Sequence, residues 1–143
     1  MMTRILLTIA FCVLSIQVAS ANPKTELGFL LNQERQIKGI KPLSENKKLS
    51  KAAQKHANDM RENDYFSHTS KNGTDFFKRI ENQKYIPCYA AENIAQGQKL
   101  PKNVIKDWMD SRGHRANNLS PKASEYGIGL SGDYWVLIFA RPC

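Results

Sequence analysis

The sequence predicts an α+β domain, a three-layer α-β-α sandwich around a small, mainly antiparallel sheet, and three observations carry that expectation. Apolar residues recur at helical spacing in four separate segments. Near the C-terminus the pattern changes to short apolar runs divided by a Ser131-Gly132-Asp133 turn, the signature of a β-hairpin. The last run, Tyr134-Trp135-Val136-Leu137-Ile138-Phe139, is apolar on both alternating faces, so its sheet needs helices on both sides.

The chain opens with Met1-Met2-Thr3-Arg4, an apolar run from Ile5 to Val18, and Ala19-Ser20-Ala21. A short basic region, an apolar stretch and a small-x-small site, in that order, predict a secretory signal peptide cleaved after Ala21. The apolar run is shorter than the roughly 20 residues a spanning helix needs. Cys12 follows Phe11 rather than a small residue, which argues against a lipid-attachment site. The expected product is one domain over residues 22–143, secreted or periplasmic and not integral to a membrane.

In that domain Leu27, Leu30 and Leu31 share a helical face that Gly39 and Pro42 terminate. Leu49, Ala52, Ala53, Ala57 and Met60 repeat between Asn46 and Asn63, with His56 in the same stripe, where a histidine is expected to be a packed core residue. A polar turn at Ser70-Lys71-Asn72-Gly73 precedes Thr74, the expected cap of a short helix carrying Phe76, Phe77 and Ile80. Val104, Ile105 and Trp108 predict a fourth helix from Pro101 to Arg112, with Gly113 as its stop. Between the third and fourth helices, Ala90-Ala91-Glu92-Asn93-Ile94-Ala95 reads as a strand with a single carboxylate.

Charge and cysteines narrow the functional classes. The chain has 21 Lys+Arg against 13 Asp+Glu, a formal charge of +8. Its lysines are scattered, with Lys47, Lys48, Lys51 and Lys55 following one helix, so the reading is a solvated basic surface and no specific nucleic-acid site. Loss of Cys12 with the leader leaves Cys88 and Cys143, whose pairing is expected outside the cytoplasm. Such a bridge would constrain the unfolded chain by about 4 kcal/mol on a chain-entropy model.

His68, in Tyr65-Phe66-Ser67-His68-Thr69, and His114, in Ser111-Arg112-Gly113-His114-Arg115, both fall at breaks between helices where a ring can face a cleft. Spacing alone does not pair them. Five segments, however, resemble in order the motifs of the CAP superfamily, the cysteine-rich secretory, antigen 5 and pathogenesis-related 1 (SCP-like) domain. They are His56-Ala57-Asn58-Asp59-Met60, Phe66-Ser67-His68, Ala91-Glu92-Asn93-Ile94-Ala95, Trp108 to Asn117, and Tyr126-Gly127-Ile128-Gly129. The closing Tyr134-Trp135-Val136 is similar too, and the small size resembles the bacterial branch.

The resemblance implies an α-β-α sandwich with a cleft lined by two histidines and two acidic residues. His68, Glu92 and His114 match three of these positions. At the fourth, animal members carry a glutamate three residues after the tryptophan; here that place is Ser111, with Asp110 beside it. Two imidazoles hold Zn²⁺ at about 2.0–2.1 Å and leave positions open for water. The implied function is therefore an exported binding domain with His68 and His114 as weak divalent-metal ligands, engaging a lipid, an envelope component or a protein. The alternative is a metal-dependent, peptidase-like hydrolase with Glu92 as the candidate base. Replacement of one acidic position by Ser111 tips the expectation toward binding rather than catalysis.

Overall fold

The computed structural model describes residues 22–143, so the leader expected over residues 1–21, including Cys12, lies outside the described residues. The elements run α1 (Pro23–Ile37), β1 (Ser44–Glu45), α2 (Lys47–Glu62), α3 (Phe76–Glu81), β2 (Pro87–Gln96), α4 (Pro101–Asp110), α5 (Arg112–Asn118), β3 (Glu125–Ser131) and β4 (Tyr134–Pro142). The four strands lie in the order β1-β3-β4-β2. Only the short β1–β3 pair is parallel. Among the described residues no helix is long and apolar enough to cross a membrane.

β4 decides the layering, because its side chains alternate between two separate cores. Trp135, Leu137 and Phe139 pack with Leu27 and Leu31 of α1 and with Val104, Ile105 and Trp108 of α4. Val136, Ile138 and Ala140 pack on the other face with Leu49, Ala53 and Met60 of α2 and Ile80 of α3. This is the three-layer arrangement that the two-faced apolar run predicts.

Local chemistry sets the helix ends. The Asn22 side chain accepts from Lys24 N at 3.0 Å and Pro23 occupies the first turn of α1. Asn46 caps α2 by accepting from Lys48 N at 2.9 Å. Two sequence expectations are corrected here. Asp75, not Thr74, caps α3: its carboxylate accepts from Lys78 N at 2.8 Å, and a carboxylate also suits the positive end of the helix dipole. Gly113 does not stop a helix but lies inside α5; the break falls two residues earlier, at Ser111, whose extended backbone (ψ 124°) ends α4 and starts α5. The two-residue β1 is too short to leave a periodic signal and was not expected.

Helix α2 lies almost on the backbone of β3. A Cβ on Gly127 would come within 2.2 Å of the Leu49 carbonyl carbon, and one on Gly129 within 2.3 Å of the Ala53 carbonyl carbon. The small Ala52, Ala53 and Ala57 supply the matching surface on α2. Gln54 then uses its Nε2 to donate to Leu130 O at 2.7 Å, securing part of the β3 edge that β1 is too short to cover. At the other end of the sheet a disulfide joins Cys88 to Cys143 across a sequence separation of 55.

Because the obstructing atoms belong to backbone, Gly129→Ala should lower stability by about 1–3 kcal/mol or more, measured as a fall in the urea midpoint with unchanged slope. A stability equal to wild type would show that α2 can withdraw from β3 at no cost.

Candidate functional site

Glu92 sits on the sheet edge, in β2 opposite Ile138, and its side chain is 1% exposed. A buried carboxylate needs partners for both oxygens. Oε2 accepts from Arg79 Nη2 at 2.7 Å, and Oε1 stands 2.9 Å from His68 Nδ1. Both oxygens are therefore engaged within the protein. Arg79 comes from the inner face of α3, next to Ile80, and its Nη1 also donates to His68 O at 2.8 Å. One guanidinium thus fixes both the carboxylate and the backbone of the loop that carries His68.

The carboxylate can only accept, so the proton of the neutral His68 ring lies on Nδ1, leaving Nε2 as a bare lone pair on a half-exposed side chain. His114, on α5, is brought to the same edge by a polar clamp. Asn93 is fully buried and donates to His114 O at 3.1 Å and to Asn118 Oδ1 at 3.0 Å, while Asn117 donates to Asn93 Oδ1 at 2.8 Å. The His114 ring lies 6.5 Å from the Trp108 ring, tilted by 45°. Burial lowers the His114 pKa, and repulsion from a positive charge on His68 lowers it further, so the two imidazoles are near enough to feel each other.

Asp110 is exposed and pairs with Lys106 at 2.6 Å along α4. Ser111 makes no capping hydrogen bond with its side chain. His56 is 1% exposed, as its place in the stripe predicts, and shares its Nε2 with Ser67 O at 2.8 Å, just before His68. Arg79 and Asn93 are the functional residues that the sequence reading missed. A lone arginine on the buried face of a short apolar helix was the one signal for the first.

Among the described residues no three or more His, Cys, Asp or Glu side chains gather as a metal-holding group. With both Glu92 oxygens hydrogen-bonded and Asp110 paired with Lys106, the available donors are the imidazoles of His68 and His114. That set suits a hydrated divalent ion held by few protein ligands and not a closed structural centre. Each Glu92 oxygen already has one side-chain partner and the side chain is 1% exposed. Roomier cavities of about 650 and 630 Å³ open near Arg35 and Lys41 and near Lys84 and Tyr85, and neither is lined by His68, Glu92 or His114.

The sequence profile of the cysteine-rich secretory protein family (CAP) matches residues 29–139. Among curated relatives, the uncharacterized protein YkwD of Bacillus subtilis (strain 168) is 41% identical over 112 residues, covering 77% of this chain and 44% of its own. The uncharacterized membrane protein YlbC of the same organism is 30% identical over 112 residues, covering 78% of this chain and 32% of its own. The chain thus spans less than half the length of either relative. Of solved structures, an extracellular protein containing an SCP domain from Bacillus anthracis str. Ames superposes with a TM-score of 0.81 at 27% identity, covering 83% of this chain and 40% of that one. An outer surface protein of Borrelia burgdorferi gives 0.77 at 20% identity, over 83% of this chain and 92% of that one, a likeness of fold alone.

Burial lowers the pKa of His56 as well as that of His114. Below about pH 6.5 the unfolded chain takes up protons at these rings while the folded chain does not, so stability falls as the solution is acidified through and below that value. Urea midpoints at pH 7.5 and pH 5 should show this loss, and His56→Gln, whose amide can still reach Ser67 O, should reduce it. An identical pH slope in that variant would remove His56 from the account.

Proposed function

Since the chain belongs to the cysteine-rich secretory protein (CAP) family, we propose that it is an exported binding domain whose cleft holds a divalent metal such as Zn²⁺ weakly through His68 and His114. The observation that carries this reading is the contact of Glu92 with His68 Nδ1 at 2.9 Å. A ligating histidine is commonly oriented in this way, with its other ring nitrogen held by a carboxylate. The bound ion would supply a Lewis-acidic centre with open positions, able to take a donor atom from a partner molecule. The protein's own residues do the positioning. Arg79 fixes Glu92, Glu92 sets the His68 tautomer, and the Asn93 clamp holds the backbone of His114. Burial helps to keep His114 neutral and available as a ligand.

The leader-like residues 1–21 support export, and the Cys88–Cys143 bridge accords with it, since disulfides persist outside the reducing cytoplasm. The similarity to an extracellular SCP-domain protein of Bacillus anthracis str. Ames supports the same reading. The partner class is a lipid, an envelope component or a protein. Recognition is favoured over hydrolysis because Glu92 is already committed to His68 and Arg79.

Titration calorimetry with zinc should give one saturable site in the purified protein. His68→Ala and His114→Ala should each abolish it, and Glu92→Gln, with its fold checked by circular dichroism, should weaken it by roughly 10–100-fold. An unchanged isotherm in either histidine variant would overturn the assignment.

A further inference from the structure

Beside the parallel β1–β3 pair, the loops that follow α1 and α5 and the end of β4 border the cavity of about 650 Å³. Its lining carries four cationic residues: Lys41, Lys122 and Arg141 are exposed, and Arg35 of α1 is 1% exposed. Glu125 is the acidic residue of the same lining, and its carboxylate is already engaged. Oε2 accepts from Tyr85 OH at 2.5 Å and Oε1 from Asn46 Nδ2 at 3.1 Å. Among the described residues, none of the four cations takes part in an ion pair.

A buried charge is ordinarily paired with its opposite. Arg35 instead donates to carbonyls: Nε to Lys41 O at 2.9 Å, and Nη1 to Asn118 O at 2.8 Å and Ser120 O at 3.0 Å. These dipoles at the end of α5 hold the side chain in place but bring no net negative charge. Nη2 has no hydrogen-bond partner among the described residues, yet it is not one of the sealed, unpartnered polar atoms, so it opens on the cavity that Arg35 lines. The cavity therefore has a fixed positive floor beneath three exposed positive side chains. That excess of charge selects the ligand class. A lone carboxylate would leave most of it unanswered, whereas a phosphate monoester brings close to two negative charges at neutral pH and three strong acceptor oxygens. Ile40, Pro42 and Pro121 supply an apolar wall for the carbon part of such an ester, and the volume suits a small molecule.

We propose that this cavity binds the phosphate group of a phosphomonoester, with Arg35 Nη2 beneath the phosphate and Lys41, Lys122 and Arg141 around it. The site shares no residue with the histidine cleft and stands whether or not that cleft holds a metal.

The test is NMR of the ¹⁵N-labelled protein at fixed ionic strength in a buffer free of phosphate and metal ions. Glycerol 3-phosphate and sodium acetate are titrated separately, and co-sedimentation with phosphatidylcholine vesicles containing phosphatidic acid presents the same group on a lipid. The expected result is a saturable shift of the Lys41, Ala123 and Arg141 amides with glycerol 3-phosphate and none with acetate. The double variant Lys41→Gln/Lys122→Gln changes exposed side chains, so its amide spectrum should stay that of the folded protein. It should bind roughly tenfold more weakly. Lys99→Gln/Lys102→Gln removes the same charge at the start of α4, also from exposed positions, and should bind as wild type does. Co-sedimentation that Lys41→Gln/Lys122→Gln abolishes, without a response to the soluble ester, keeps the phosphate and makes its source a lipid headgroup. No response in either arm overturns the site, as does equal weakening by the two double variants, which would reduce it to net charge. An equal response to acetate overturns the phosphate.

Discussion

Seven consecutive residues of β4, Tyr134 to Ala140, are buried, and the architecture follows from that constraint. A strand next to the sheet's centre with no solvent-facing side needs an apolar cover above and below, and each cover needs its own helices. The alternation of Trp135, Leu137 and Phe139 with Val136, Ile138 and Ala140 assigns α1 and α4 to one side and α2 and α3 to the other. The tight seating of α2 is one solution to this requirement. Glycines at 127 and 129 remove side chains from the facing strand, so the alanine stripe reaches the backbone itself.

A buried ion pair lies at the opposite edge, where β2 has a partner on one side only. There the chain buries a carboxylate and a guanidinium together, an arrangement that gains little over apolar packing but costs about 3–5 kcal/mol when one partner is removed. What it provides is orientation. Glu92 points toward α3 and the His68 loop, while its neighbour Asn93, on the other face of the same strand, reaches α5 and the backbone of His114. Two successive residues of one edge strand therefore fix two histidine-bearing segments that lie 46 positions apart in sequence, through the simple alternation of the pleat.

The sequence disclosed those parts of the fold that rest on periodicity. The α2 stripe, the β3–β4 hairpin, the two-sided burial of β4 and the pairing of Cys88 with Cys143 were all legible. So was the buried place of His56. Features set by a single hydrogen bond were not. Thr74 and Asp75 are both good capping residues, and only the backbone path decides that the aspartate reaches Lys78 N. Gly113 looked like a terminator because glycine commonly ends helices, yet the chain had already turned at Ser111. At the site, the resemblance named His68, Glu92 and His114, but a motif does not reveal that Arg79 occupies half of the Glu92 carboxylate. That pairing depends on α3 packing against β2, a tertiary contact with no local pattern.

The disulfide divides the site in a way that the fold alone does not. Cys88 and Cys143 close a covalent ring that contains β2, α4, α5, β3 and β4, and hence both Glu92 and His114. His68 and Arg79 lie outside it, on the stretch of chain before Cys88. A protease cut in the link between β2 and α4 would leave both fragments attached, and a pull on the N-terminal segment would draw His68 away while Glu92 and His114 stayed tethered together. The candidate cleft thus draws its side chains from both sides of the covalent ring, Glu92 and His114 within it and His68 and Arg79 before it.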